Sequence, residues 1–221
     1  MDKEISVFPQ SWQTLGWAGV VVLLWFSWRS GEFSRLKDAA RLNLFLGISV
    51  ALMVLWQIRT GIRPGLSFHI LGASLATLMF GFWRGWLAAG LAALAVALTG
   101  KASLASLGLE TMIFCALPAA FTHHLFRLVD RKLPNHFFIY VLVNGFFGAA
   151  LAILLSALVS TAVMFLSGAY ALAYLREYYM PYFILLAWSE ALTTGMWVTL
   201  LAVYRPEWLE TFDDDRYIRN K

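Results

Sequence analysis

Three side chains are set in surroundings that do not suit them. His69, Glu110 and Glu190 lie in stretches made almost wholly of apolar residues, where an ionisable group costs several kcal/mol unless it is paired or faces a cavity. One imidazole with two carboxylates makes a nest for a borderline divalent cation such as Ni²⁺, Co²⁺, Zn²⁺ or Cu²⁺. Asp2 and Glu4, ahead of the first apolar run, can add oxygen ligands. A plainer reading stands beside this one. His69 can be a helix-end histidine bonded to a backbone carbonyl, and Glu190 can be protonated, or paired with Arg176 or another helix.

Other chemistry finds little support. His123 and His124 fall beside Arg127 and Arg131, and His136 follows Pro134; these positions suit interfacial or solvated roles. The single cysteine, Cys115, excludes an internal disulfide and any Cys-x-x-Cys motif. There is no Gly-x-Ser-x-Gly elbow, no His-Glu-x-x-His and no Walker A sequence. The chain reads as a non-enzyme without an organic cofactor. Its basic residues are scattered among the loops rather than gathered in a patch, which argues against nucleic acid.

The elements that must position these residues are membrane helices. Of the 221 residues 60% are hydrophobic and only 14% charged, against about 25% charged in a soluble domain. Polar breaks divide the chain into about seven apolar spans: Ser11–Trp28, Leu42–Ile58, Ser67–Phe82, Gly85–Leu98, Leu104–Phe126, Phe137–Leu166 and Pro181–Tyr204. A crossing needs roughly 17–25 apolar residues, so the third and fourth are short and suggest a hairpin of helices turning at Gly81–Gly85. The sixth is long enough to tilt, or to end in an amphipathic piece near Tyr170–Tyr179. Ser67 is the expected N-cap of span 3, which places His69 on its first turn above a stripe of Gly72, Ala73 and Ala76. Dense small residues in Gly85–Gly100 and Gly145–Ala152 predict close internal helix packing. The whole chain, 1–221, is one transmembrane domain with short polar tails at 1–10 and 205–221, and Asp213–Asp215 reads as a solvated tail. No removable signal peptide is expected.

Lys and Arg set the orientation. With the N-terminus outside, the inner segments hold 12 of them and the outer segments 5, which favours seven all-α spans with the C-terminus in the cytoplasm. His69, Glu110 and Glu190 then share the outer half of the bundle. Glu190 lies nine residues after Pro181, roughly 14 Å along its helix.

The run Pro64-Gly65-Leu66-Ser67-Phe68-His69-Ile70-Leu71-Gly72-Ala73, the pair Leu107-Gly108, the stretch Trp188-Ser189-Glu190-Ala191-Leu192-Thr193-Thr194-Gly195 and the close Tyr204-Arg205-Pro206-Glu207 resemble the CbiM family. These are the membrane substrate-capture components of cobalt/nickel energy-coupling-factor ABC transporters. The likeness runs from about Pro64 to Trp208. It implies seven helices with an outside N-terminus, a bacterial cytoplasmic (inner) membrane location, and uptake of a transition metal driven by a coupling transmembrane subunit and cytoplasmic ATPases. It also implies a metal held by the free N-terminus, a histidine directly after the initiator Met, and the histidine matching His69. Here Asp2 takes the second position, no histidine precedes His69, and Glu110 replaces the family's Asn. The site expected is therefore richer in oxygen: His69, Glu110, Glu190 and Asp2. Nickel or cobalt comes first as substrate, then zinc or copper. The missing histidine also admits an alternative, a non-transporting accessory or assembly subunit of another membrane complex that keeps the fold.

Overall fold

The computed structural model describes residues 7–63 and 66–219; Asp2 and Glu4 lie outside them. Apart from one small hairpin, the described chain is helical: α1 (Gln10–Arg29), α2 (Ala39–Gln57), β1 (Thr60–Arg63), β2 (Leu66–Phe68), α3 (Ala73–Leu98), α4 (Leu107–Lys132), α5 (Phe137–Leu166), α6 (Leu172–Tyr178) and α7 (Met180–Tyr204). Among the described residues, the five helices α2, α3, α4, α5 and α7 are long and apolar enough to cross a membrane. α1 has 20 residues but carries Gln10, Gln13 and Arg29, which lower its hydropathy.

Local chemistry sets the helix ends. The Asp38 carboxylate accepts the Arg41 N–H (3.3 Å) at the start of α2, and His136 Nδ1 accepts the Phe138 N–H (3.2 Å) at the start of α5. α4 and α5 each contain a π-helical stretch, at Met112–Ala116 and Tyr140–Phe147. Leu15, Val21, Val22, Trp25 and Ile184 point outward, as they must when the solvent is hydrocarbon.

α3 is two arms rather than one rod. Gly81 takes φ 76° and ψ 178°, a conformation nearly closed to residues with a Cβ. The chain doubles back there so sharply that a Cβ on Gly85 would lie 2.6 Å from Thr77 Cα. The first arm, 73–80, is about 12 Å long and the second, 82–98, about 25 Å. The hairpin expected between spans 3 and 4 is present. Its beginning differs from expectation, because the helix starts at Ala73 behind a left-handed Gly72 (φ 64°), and Ser67 belongs to β2. His69 thus lies outside the helix, just past the end of β2, and shares no helical stripe with Ala73 and Ala76. Propensity favoured a helix from Ser67; the pairing of Thr60 with Phe68 and Gly61 with Ser67 in the hairpin overrides it.

The small residues pack inward as expected: Ala88, Ala89 and Ala92 are fully buried, and Gly145 sits against Val198. α1 and α4 cross at glycines. A methyl on Gly108 would lie 2.5 Å from the Trp17 nitrogen, and one on Gly16 would overlap the Leu109 nitrogen. Backbone cannot rotate away from such a clash, so Gly108→Val should cost at least the 1–3 kcal/mol typical of overpacking. The thermal midpoint in detergent should fall clearly for this variant, and stay put for Gly47→Ala, whose added methyl meets nothing within 4 Å.

Polar contacts sort the loops into two ends. At one end Arg84 meets Glu32 and Glu210, Arg35 meets Glu210, and Arg216 meets Asp130. At the other, Arg59 donates to Lys101 O, and Arg63 lies over the Tyr174 ring of α6. The amphipathic piece expected near Tyr170–Tyr179 is α6. Asp213 and Asp215 are exposed, as expected, but the tail that carries them is docked: Leu209, Phe212 and Tyr217 are buried. Aromatic packing of Phe212 and Tyr217 on Tyr140 docks it.

Candidate functional site

The stretch 69–72, between β2 and α3, is irregular backbone held from both sides. Upstream, the Phe68 ring packs on Tyr179, Tyr182 and Phe183, with centroids 5.2–5.4 Å away. Downstream, Trp56 Nε1 donates to Leu71 O (2.9 Å) from α2. From α7 the fully buried Glu190 accepts the N–H of Leu71 on one carboxylate oxygen and that of Gly72 on the other, both at 2.8 Å. These N–H groups open the first arm of α3, so the carboxylate sits at the positive end of a helix. Gly72 is required twice over: its φ is positive, and a Cβ would lie 2.5 Å from Leu52 Cδ2.

His69 is the reactive group this backbone presents. Its ring lies on Trp56 (centroids 4.1 Å apart, tilted 43°) and edge-on to Phe114 at 6.4 Å. Metals bind the imidazole in its neutral form. In the tautomer whose Nδ1 donates to Ile70 O (3.3 Å), Nε2 carries the free lone pair. Arg59 is itself anchored on Ser67 Oγ (2.5 Å) and Lys101 O (2.9 Å).

The expected ligands are partly brought together. Glu190 reaches the His69 stretch, but through the backbone at Leu71 and Gly72. Glu110 stands one helical turn before Phe114 on α4 and accepts the Ser106 hydroxyl at 2.8 Å. Asp2 is outside the described residues. No cluster of three or more His, Cys, Asp or Glu side chains suited to a metal occurs among the described residues. His123 and His124, with rings 5.7 Å apart, line a cleft with Arg84 and Glu210, at the end of the bundle away from Arg59 and Lys101.

Sequence reasoning missed the group at that far end. Arg84, 1% exposed, makes a bidentate pair with Glu210 (2.7 and 2.6 Å) and a third contact with Glu32 (2.9 Å). Glu210 N–H and Thr211 Oγ1 cap the last carbonyls of the first α3 arm, Met79 O (3.1 Å) and Leu78 O (2.7 Å). The signal was present: an arginine between Gly81 and Gly85, in an apolar stretch, demands partners. Which acids would reach it could not be read from spacing. The same short arm is thus held by Glu190 at one end and by the Glu210–Thr211 tail at the other.

Residues 5–208 match the family model described as the cobalt uptake substrate-specific transmembrane region, CbiM. The fold is similar to that of a truncated transition metal transporter (TM-score 0.77, 19% identity, covering 89% of this chain and 96% of that one). It is also similar to a second transition metal transporter structure (TM-score 0.73, 18% identity, covering 89% and 90%). No curated protein matches the chain significantly.

Proposed function

Because the chain belongs to the CbiM family, the cobalt uptake substrate-specific transmembrane region, we propose that it captures a divalent transition-metal ion for uptake across a bacterial cytoplasmic membrane. The observation that carries this reading is the His69 stretch. It is an imidazole on non-helical backbone inside a helical bundle, fixed from α2 by Trp56 and from α7 by Glu190. Irregular backbone at membrane depth is tolerated where it is buried in protein or lines a cavity, and an ionisable group there marks function by default. His69 is the ligand; Glu110 supplies negative charge one turn from the facing Phe114; Asp2 and its neighbours complete the shell. Glu190 supports the site through the loop.

Seven spans follow if α1 and both arms of α3 count with the other helices. The Arg84 end then faces the cytoplasm, since that end gathers the segments richest in Lys and Arg. The coupling membrane subunit and the ATPases that the family resemblance implies would meet that face. Nickel and cobalt are the first candidates, and the oxygen-rich donors leave zinc and copper open.

Two observations favour a second reading. Arg59, bonded to Ser67 Oγ two residues before His69, brings a positive charge to the stretch that would take a cation, and Asp2 stands where the family resemblance calls for histidine. A chain that kept the fold and serves as an accessory subunit of another membrane complex would show both. Exposing the purified protein to Mn, Fe, Co, Ni, Cu and Zn, then desalting and measuring each element, separates the two. Near-stoichiometric retention of one metal is expected for capture; retention of none supports the accessory subunit.

A further inference from the structure

α2 and α7 do not close against each other along their whole length. A groove of about 310 Å³ opens between Ala51 and Leu55 on one wall and Trp197 and Leu201 on the other, with Leu75 and Met79 as its floor. Ile48, which also lines the groove, is the central residue of the spanning helix α2 and Ala51 is one turn on, so this part of the groove is at hydrocarbon depth. Toward the Arg84 end it runs on, through the shared residues Ile48 and Trp208, into a mouth of about 660 Å³ lined by Asp38, Arg41, Asn43 and Glu207. The continuous recess is amphiphilic: an apolar slot with a charged mouth of both signs.

We propose that this recess binds one phospholipid with a zwitterionic, ammonium-bearing head, its acyl chain in the groove and its head in the mouth. The chemistry of the mouth selects the head. Arg41 is half exposed and only loosely engaged, 3.9 Å from Asp38 and 3.7 Å from Glu210, so its guanidinium is available to a phosphate. Asp38, more than half exposed and 3.9 Å from Arg41, offers its carboxylate to an N–H-bearing ammonium, while Glu207 is held by Arg205 at 3.5 Å. With Glu207 already balanced by Arg205, the mouth presents one guanidinium and one carboxylate, so a purely anionic head would satisfy Arg41 and leave Asp38 facing a like charge; a quaternary ammonium has no N–H to give. Trp208 is at the level where indoles sit at a membrane interface. Lipid binding in this recess does not depend on metal capture at His69.

Native mass spectrometry of the full-length protein, delipidated in detergent and titrated with defined lipids, tests it. Phosphatidylethanolamine should be retained over phosphatidylcholine and phosphatidylglycerol of the same chains. Arg41→Gln should weaken retention by roughly fivefold, the order expected for one basic residue at a phosphate plane. Ala51→Phe, at an exposed position, should displace the lipid while leaving the mouth intact. Equal retention of all three lipids, preference for the anionic one, or indifference to Ala51→Phe would each overturn the assignment. A recess that stays empty with every lipid would also overturn it, and leave the groove to a partner helix.

Discussion

Arg84→Met is expected to lower the protein's stability by about 3–5 kcal/mol, the cost of removing one partner from a buried ion pair. The guanidinium is 1% exposed and holds two carboxylates that approach from different parts of the chain, Glu32 after α1 and Glu210 after α7. Without it both acids face each other at the turn of α3 with only the exposed Arg35 and Arg41 to compensate. The tail that caps Leu78 and Met79 would then lose its main anchor. Thermal unfolding in detergent measures the loss. Pairing the change with Glu210→Gln should recover part of it, because one stranded charge is removed. An Arg84→Met protein as stable as wild type would mean that the tail is held by the Tyr140, Phe212 and Tyr217 cluster alone.

Glu190→Gln should cost metal affinity far more than it costs folding. The carboxylate gives one acceptor oxygen to Leu71 N–H and the other to Gly72 N–H. An amide keeps one acceptor and turns a donor toward the second N–H. A buried donor left without its partner costs about 1–3 kcal/mol, which is roughly tenfold to hundredfold in an equilibrium constant. The penalty falls on the stretch that carries His69, so the loop loses its fixed conformation while the helices around it keep theirs. Metal titration of the purified variant beside wild type reads this directly, with circular dichroism to check the fold. Affinity equal to wild type would show that the His69 stretch does not depend on α7 for its shape.

Much of this architecture is legible in the amino-acid order, because a bilayer imposes few rules and imposes them strictly. Apolar length marks α2, α4, α5 and α7 within a few residues. Gly81 and Gly85, flanking an arginine in an apolar run, mark the turn inside α3, and His69, Glu110 and Glu190 are conspicuous as ionisable groups in such surroundings. The misses share one cause: they depend on contacts between distant parts of the chain. Nothing near Ser67 says that its backbone will pair with Gly61 instead of starting a helix. Glu190 reads as an isolated acid until it is seen to close on backbone N–H groups 118 and 119 residues away. Glu210 carries no mark in the sequence until it is found on an arginine 126 residues away. Residue type tells that a buried charge must be satisfied; only the fold tells by what.

Ligation of the captured metal by His69 is tested most directly by X-ray absorption spectroscopy of the loaded protein. Wild-type protein carrying its preferred metal should show the multiple-scattering pattern of a coordinated imidazole. His69→Ala should remain folded and lose both that pattern and nearly all of the bound metal. Metal retained in His69→Ala at the wild-type level, with an unchanged spectrum, would contradict ligation by His69 and move the site elsewhere in the bundle.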